Sequence, residues 1–200
     1  STQQSGTRLS IYGVGGADAQ NVWAVGEKGA ILTWSGTQWL TEPFGQGLFK
    51  DLLGIWGSVP SNVWVVGEAG TILKWNGTEW TVQVSGTVAN LYSVWGVDAN
   101  NVWAVGAGGT ALKWNGSAWS SLETGIAQSL SAVWASDANN AWAVGEGGII
   151  SKWDGNIWSA QSSGVSKLLL GVSGSDSANL WAVGEDGTVL KGDGKTWSPQ

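Results

Sequence analysis

The stretch that decides the fold is residues 101–119, which read NVWAVGAGGTALKWNGSAW. This stretch recurs with substitutions five times along the 200 residues. The Asn-x-Trp that opens each copy places tryptophans at Trp23, Trp64, Trp103, Trp142 and Trp181, with successive spacings of 41, 39, 39 and 39 residues. A fixed period of this length is typical of repeat architectures in which each unit is one supersecondary element.

Three further tryptophan series follow the same period and complete the set of 17 tryptophans. They are Trp34, Trp75, Trp114 and Trp153, with Gly192 in the fifth place; Trp39, Trp80, Trp119, Trp158 and Trp197; and Trp56, Trp95 and Trp134, with Gly15 and Ser173 as departures. Since every tryptophan belongs to a series, tryptophan is first of all a structural residue of the repeat.

Each unit contains four short runs of strand-forming residues separated by turn residues. In the third unit these runs are 91–95, 102–105, 110–114 and the segment around Trp119. Asx residues follow the first run, glycines follow the second, and the hairpin dipeptide Asn115-Gly116 follows the third. The pattern predicts a four-stranded antiparallel meander of about 39 residues.

Both faces of such a sheet are apolar, because Val, Leu and Trp occupy both alternations of the strands, so each sheet must pack on its neighbours. Propellers with 4 to 8 four-stranded blades satisfy this need. We therefore predict an all-β, five-bladed β-propeller that forms a single domain over residues 1–200. Residues 3–7 resemble residues 83–87, the link after a fourth strand. This similarity predicts that the two chain termini close the ring, which favours a monomer.

The amino-acid composition limits the classes of function that the chain can have. The chain has no His, Cys or Met and a single arginine, Arg8, which excludes thiolate, imidazole and Cys/His zinc chemistry. Its acidic residues are distributed by the repeat, so we expect no enzyme and no cofactor or metal. A formal net charge of −6 is unfavourable for nucleic acid, and no apolar run is long enough for a membrane-spanning helix.

The motif at 101–119 resembles Trp-rich repeats of bacterial secreted and surface proteins, which are grouped with BNR/Asp-box and photosystem assembly-factor propellers. The Gly-x-x-Trp of the Asp-box is present at Gly36 to Trp39, although a tryptophan stands where its aspartate belongs. In size and blade number the chain is also similar to tachylectin-type five-bladed lectins. These resemblances imply a secreted or cell-surface binding module whose partner is a carbohydrate or a protein surface.

The tryptophans that flank each third turn are candidates for carbohydrate stacking. The pairs are Trp75 with Trp80, Trp114 with Trp119, and Trp153 with Trp158. Nearby Asp and Asn groups would bind sugar hydroxyls, so we predict several weak sites whose avidity comes from multivalency. Packing between blades is the competing interpretation of the same rings.

Other repeated polar residues have structural and functional interpretations side by side. Glu68 and Glu146 follow the second strand, where the turn needs glycine but not glutamate. These glutamates either contact a ligand or form a set of solvated charges around one face of the propeller. Aspartates such as Asp98 are predicted turn formers. Lysines of the third strand, such as Lys113, are predicted to discourage edge pairing.

Two alternatives to carbohydrate binding remain open. A protein-interaction or assembly scaffold would use the longest and most apolar link, residues 43–49, with Phe44 and Phe49 as anchors. The near-identity of units such as 62–80 and 101–119 also allows an engineered or recently amplified propeller with no selected ligand.

Overall fold

The computed structural model describes residues 4–42 and 49–200. The chain divides into two compact units, Ser1–Val94 and Trp95–Gln200, and each is described by itself. Within the described residues the secondary structure consists of strands and five short 3₁₀ turns. No described helix is long and apolar enough to cross a membrane.

The first unit contains two four-stranded antiparallel sheets. Its strands are β1 Ile11–Gly16, β2 Val22–Gly26, β3 Ile31–Trp34, β4 Trp39–Thr41, β5 Leu52–Val59, β6 Asn62–Gly67, β7 Ile72–Trp75 and β8 Trp80–Val82. Neighbouring strands in each sheet are consecutive along the chain, so each sheet is a meander.

The remaining three sheets repeat this order. Their strands are β9 Leu91–Asp98, which crosses the unit boundary, β10 Asn101–Gly106, β11 Ala111–Trp114, β12 Trp119–Leu122, β13 Leu130–Asp137, β14 Asn140–Gly145, β15 Ile150–Trp153, β16 Trp158–Gln161, β17 Leu169–Asp176, β18 Asn179–Gly184, β19 Val189–Gly192 and β20 Trp197–Pro199. Five four-stranded meanders with turns at the predicted places confirm the sequence interpretation of the repeat.

A 3₁₀ turn joins the second strand of every sheet to the third. These turns are Glu27–Gly29, Glu68–Gly70, Ala107–Gly109, Glu146–Gly148 and Glu185–Gly187. The middle residue is left-handed even where it is not glycine, as at Ala69 with φ of 49°. At Gly109 the last residue must be glycine for two reasons: its φ is positive, and a Cβ would collide with the carbonyl oxygen of Ile126 in the following link.

The core lies between facing sheets. In the first unit Trp23, Val25 and Ile31 of the first sheet pack with Leu52, Val63, Val65 and Leu73 of the second. In the second unit one cluster joins Trp103 and Val105 to Leu130 and Val133 of the next sheet, and another joins Trp142 and Val144 to Leu169 and Leu180. Each sheet therefore buries apolar side chains against its neighbour, as its two apolar faces require.

The fifth sheet has no further sheet beyond it within the second unit. Trp181 of this sheet is 44% exposed, whereas the tryptophan at the same repeat position of β10 and β14 is fully buried.

The predicted closure of the ring falls partly on residues 1–3, which lie outside the described residues, and it stays a prediction. The local similarity behind it is confirmed for residues 5–9. The Ser5 hydroxyl donates to the Thr7 carbonyl oxygen at 3.2 Å, and the Ser85 hydroxyl donates to the Thr87 carbonyl oxygen at the same distance. Residues 5–9 thus adopt the link conformation found after β8.

The two glycines of one 3₁₀ turn provide a matched test of this packing. We expect Gly109→Ala to lower the free energy of unfolding by about 3 kcal/mol, because the Cβ adds a collision to the strain of a positive φ. Gly108→Ala adds only the strain, about 1 kcal/mol, since nothing lies within 4 Å of its Cβ and the second sheet carries Ala69 there. Urea unfolding of both variants measures the difference, and equal losses would contradict the packing argument.

Candidate functional site

The paired tryptophans of the third and fourth strands are direct cross-strand partners. Their ring centroids are 5.5 Å apart for Trp75 and Trp80, and 5.9 Å apart in the pairs of the third and fourth sheets. The latter four rings, at Trp114, Trp119, Trp153 and Trp158, are buried, whereas Trp75 and Trp80 are partly exposed. Carbohydrate stacking needs an open ring face, so of the three predicted pairs only Trp75 with Trp80 retains part of one.

Some of these indoles also have a structural task. The Nε1 of Trp114 donates to the carbonyl oxygen of Ala99 at 3.2 Å, and Trp153 makes the same bond to Ala138. Both acceptors lie in the turn between the first and second strands. The third-strand tryptophan therefore ties two turns of one blade together.

The turn aspartates bind backbone and side-chain amides. The Oδ1 of Asp98 accepts hydrogen bonds from the backbone N–H of Asn100 at 2.7 Å and of Asn101 at 2.9 Å, and both carboxylate oxygens accept from the Asn101 side chain. Equivalent Asx turns surround Asp18, Asp137 and Asp176. These bonds confirm the predicted turn-forming role.

Hydrogen bonding of the ionised form holds the pKa of these carboxyls low. At Asp137 burial opposes ionisation, but the amides of Asn139 and Asn140 outweigh it and place the pKa below its usual value. The backbone amide of Ala178 is the main cause of the lowered pKa of Asp176. A lowered pKa in the folded state means that the carboxylate stabilises the fold above the unfolded pKa of about 3.9, and that this contribution is lost as pH falls through the folded pKa.

We therefore expect the free energy of unfolding to be nearly constant from pH 6 to about pH 5 and to decrease below about pH 4. Asp137→Asn keeps an oxygen for the Asn139 amide but cannot titrate, so its acid-side slope should be shallower by up to about one proton. Urea unfolding between pH 2 and 6 measures both slopes. Identical slopes in the two proteins would contradict a lowered pKa at this position.

The glutamates that follow the second strand bind the link before the first strand. The Oε2 of Glu68 accepts the backbone N–H of Asp51 at 3.1 Å, and the Oε2 of Glu146 accepts that of Ser129 at 3.0 Å. Sequence reasoning missed this role because the partner lies 17 residues upstream. Ligand contact by Glu68 and Glu146 stays a prediction, but each carboxylate already has a structural partner.

Glu68→Ala tests the structural role, because the third sheet carries Ala107 at that position. We expect the free energy of unfolding to decrease by about 1 kcal/mol as the Asp51 amide loses its acceptor. Glu79→Ala, in the exposed turn between β7 and β8 of the second sheet, serves as the control and should change the free energy of unfolding by less than about 0.5 kcal/mol. Equal effects in chemical denaturation would argue against the hydrogen bond.

The lysines of the third strand lie over tryptophan rings, which the sequence did not indicate. Lys74 Nζ is 4.8 Å from the ring centroid of Trp64, its cross-strand partner, and the lysines at positions 113, 152 and 191 make the same contact. The third strand has a neighbour on each side, so the prediction that these lysines protect a sheet edge was wrong. Burial lowers the pKa of Lys74 and of Lys113.

The predicted protein anchors fall on the link before β5. Phe44 lies outside the described residues, and Phe49 is exposed. Among the described residues there is no group of three or more His, Cys, Asp or Glu side chains that could hold a metal ion.

Solved structures with a similar fold are β-propellers. YCF48 bound to a D1 peptide matches with a TM-score of 0.76 and 17% identity over 98% of this chain and 69% of that one. The WD40 β-propeller domain of Doa1 matches with a TM-score of 0.80 and 18% identity over 96% and 67% of the two chains. YCF48 from Cyanidioschyzon merolae matches with a TM-score of 0.67 and 16% identity over 97% and 85%.

At these identities the likeness establishes the fold alone. No protein-family model matches the chain, and no curated protein matches its sequence. Together with the five four-stranded sheets, the structural neighbours confirm the predicted fold class, an all-β propeller with five blades.

Proposed function

We propose that this propeller is a non-enzymatic module that binds a polypeptide through the links between its blades. The observation that carries the proposal is a set of exposed apolar side chains on two links of the first unit. Phe49 is 84% exposed, Val84 88% and Val88 87%. Exposed apolar surface of this kind is typical of protein interaction sites.

Hydrogen bonds place these side chains on both sides of one 3₁₀ turn. Glu68 at the start of the turn binds Asp51, two residues after Phe49. Gly70 at its end donates its N–H to the carbonyl oxygen of Ala89, one residue after Val88. Phe49 and Val88 therefore flank the Glu68–Gly70 turn, and we name this surface, Phe49 with Val84 and Val88, the link surface.

In the second unit the corresponding link, residues 123–127, borders a cavity of about 390 Å³ together with the end of β12 and the turn at Gly108–Thr110. Here the Thr124 hydroxyl donates to the carbonyl oxygen of Gly109 at 2.9 Å, which fixes the link against the turn. Because this link is fixed by a hydrogen bond and borders a cavity, it provides a preformed binding site for an extended polypeptide.

The comparisons support a polypeptide as the partner, since one structure with this fold is a complex with a peptide. The carbohydrate interpretation loses support because four of its six predicted tryptophans are buried. A secreted or cell-surface location is part of the proposal, and it would expose the link surface to extracellular partners.

Selection of peptides from a random displayed library on the folded protein tests the proposal. We expect enriched peptides to lose at least about tenfold in affinity for the variant Phe49→Ala, Val84→Ser, Val88→Ser, because apolar contact is removed. The melting temperature should stay within about 2 °C, since the three side chains are exposed.

Val59→Ser is the matched control, because Val59 is an exposed valine at the end of β5, at the other end of the strands. It should leave peptide affinity unchanged. Peptide binding that survives the triple variant would overturn the link surface as the site. A glycan array that yields hits perturbing tryptophan emission, with no peptide enriched, would favour the lectin interpretation instead.

A further inference from the structure

The first sheet departs from the other four at the position of the repeated lysine. Thr33 stands opposite Trp23, where Lys74, Lys113, Lys152 and Lys191 stand opposite their tryptophans. The threonine side chain is several atoms shorter than lysine and carries no charge. Its Oγ1 is buried and has no hydrogen-bond partner.

A cavity of about 360 Å³ lies at this place, entirely within the first unit. Trp23 and Thr33 of the first sheet line it together with Glu42, Trp75 and Gly77. The two tryptophans come from facing sheets, because Trp23 belongs to β2 and Trp75 to β7.

The second unit shows what fills the same place when the lysine is present. Lys113 Nζ lies 5.1 Å from the ring centroid of Trp103 in its own sheet and 5.5 Å from that of Trp153 in the next sheet. By repeat position these rings correspond to Trp23 and Trp75. The cavity of the first unit is therefore lined by Trp23 and Trp75. In the second unit, the lysine ammonium lies between the two tryptophans at the equivalent repeat positions.

A second lysine shows the hydrogen bond that accompanies the ring contact. Lys152 Nζ is 5.2 Å from the ring centroid of Trp142 and donates to the carbonyl oxygen of Gly194 at 3.1 Å. Gly194 corresponds by repeat position to Gly77, which lines the cavity of the first unit. A carbonyl at the equivalent turn is thus available as an acceptor for an ammonium group.

Glu42 adds a charge that the other blades lack at this position. Glutamine or leucine stands at the equivalent positions 83, 122, 161 and 200. At position 161 the glutamine side chain donates to the carbonyl oxygen of Gly194, beside Lys152. The first sheet has exchanged a lysine for threonine and a neutral side chain for a carboxylate, so the cavity has lost a positive charge and gained a negative one.

We propose that this cavity binds a primary alkylammonium ion, either the side chain of a lysine in another polypeptide or a free small amine. The rings of Trp23 and Trp75 supply cation–π attraction, Glu42 supplies the opposite charge, and the carbonyl of Gly77 accepts a hydrogen bond. The site lies at the turn end of the strands and does not depend on the link surface. The bound ion takes the place that the chain's own lysine fills in the second unit.

Titration with butylammonium, followed through the indole N–H resonances of Trp23 and Trp75, tests the proposal. We expect saturable shifts with a dissociation constant of roughly 1 mM, in keeping with a few weak contacts to a small ion. Neutral 1-butanol should bind at least about tenfold more weakly, because it carries no charge. Tetramethylammonium should also bind more weakly than butylammonium, since it cannot donate a hydrogen bond.

The variant Thr33→Lys restores the repeated lysine and should abolish butylammonium binding while raising the melting temperature by a few degrees. Glu42→Gln should weaken binding about fivefold. Two controls should bind within about twofold of the parent protein: Thr33→Val, which preserves the shape of the cavity, and Glu123→Gln, which removes an exposed carboxylate from the link after β12 in the second unit.

The same titration with Nα-acetyl-lysine amide distinguishes the two sources of the ion. Shifts equal to those of butylammonium identify a lysine side chain as the ligand class, and shifts with butylammonium alone identify a free amine. No saturable shift with either amine, equal binding of 1-butanol, or undiminished binding in Thr33→Lys would each overturn the proposal.

Discussion

In three blades the tryptophan of the second strand, Trp23, Trp103 or Trp142, lies between two sheets, and the rest of the blade is arranged around it. Trp64, Trp103 and Trp142 are fully buried. A large indole between sheets contributes more burial than any other side chain, and it fixes how closely two sheets approach. The lysine of the third strand then lies over the ring, so that the apolar part of its side chain extends the core while its ammonium gains cation–π attraction.

Two departures from the repeat show how the chain accommodates a missing side chain next to a tryptophan. In the second sheet Val59 replaces the turn aspartate, and Asn62 then turns its side-chain oxygen to the Nε1 of Trp64 at 3.2 Å. In the fifth sheet Gly192 replaces a tryptophan, and Trp197 lies against the vacated side of the strand and donates to the Oε1 of Gln161 at 2.9 Å. The Asn62 side chain, which has lost its aspartate partner, binds Ser58 and Trp64 instead, and the Trp197 ring fills the space at Gly192.

Most of the fold could be predicted from the sequence because it is repeated locally. The 39-residue period, the Asn115-Gly116 turn and the Asx turn at Asp98 each depend on residues close in the chain, and the structure confirms them. The contacts that the sequence left hidden are those between distant residues. Glu68 binds an amide 17 residues upstream, and Lys113 reaches a tryptophan of the next sheet 40 residues away. Residue type and spacing alone do not show which backbone group a carboxylate will meet.

In a repeat protein, residues that all repeats share differ in role from residues that only one repeat has. Five equivalent blades have equivalent chemistry, so a residue that all five share serves the fold, and a specific site must begin where one blade differs. Val59 and Gly192 differ but are compensated within the chain. Thr33 differs without compensation, since its hydroxyl is buried without a partner and a cavity remains where the ammonium of the repeat would lie. Fold stability alone would favour lysine there, so this change points to a ligand.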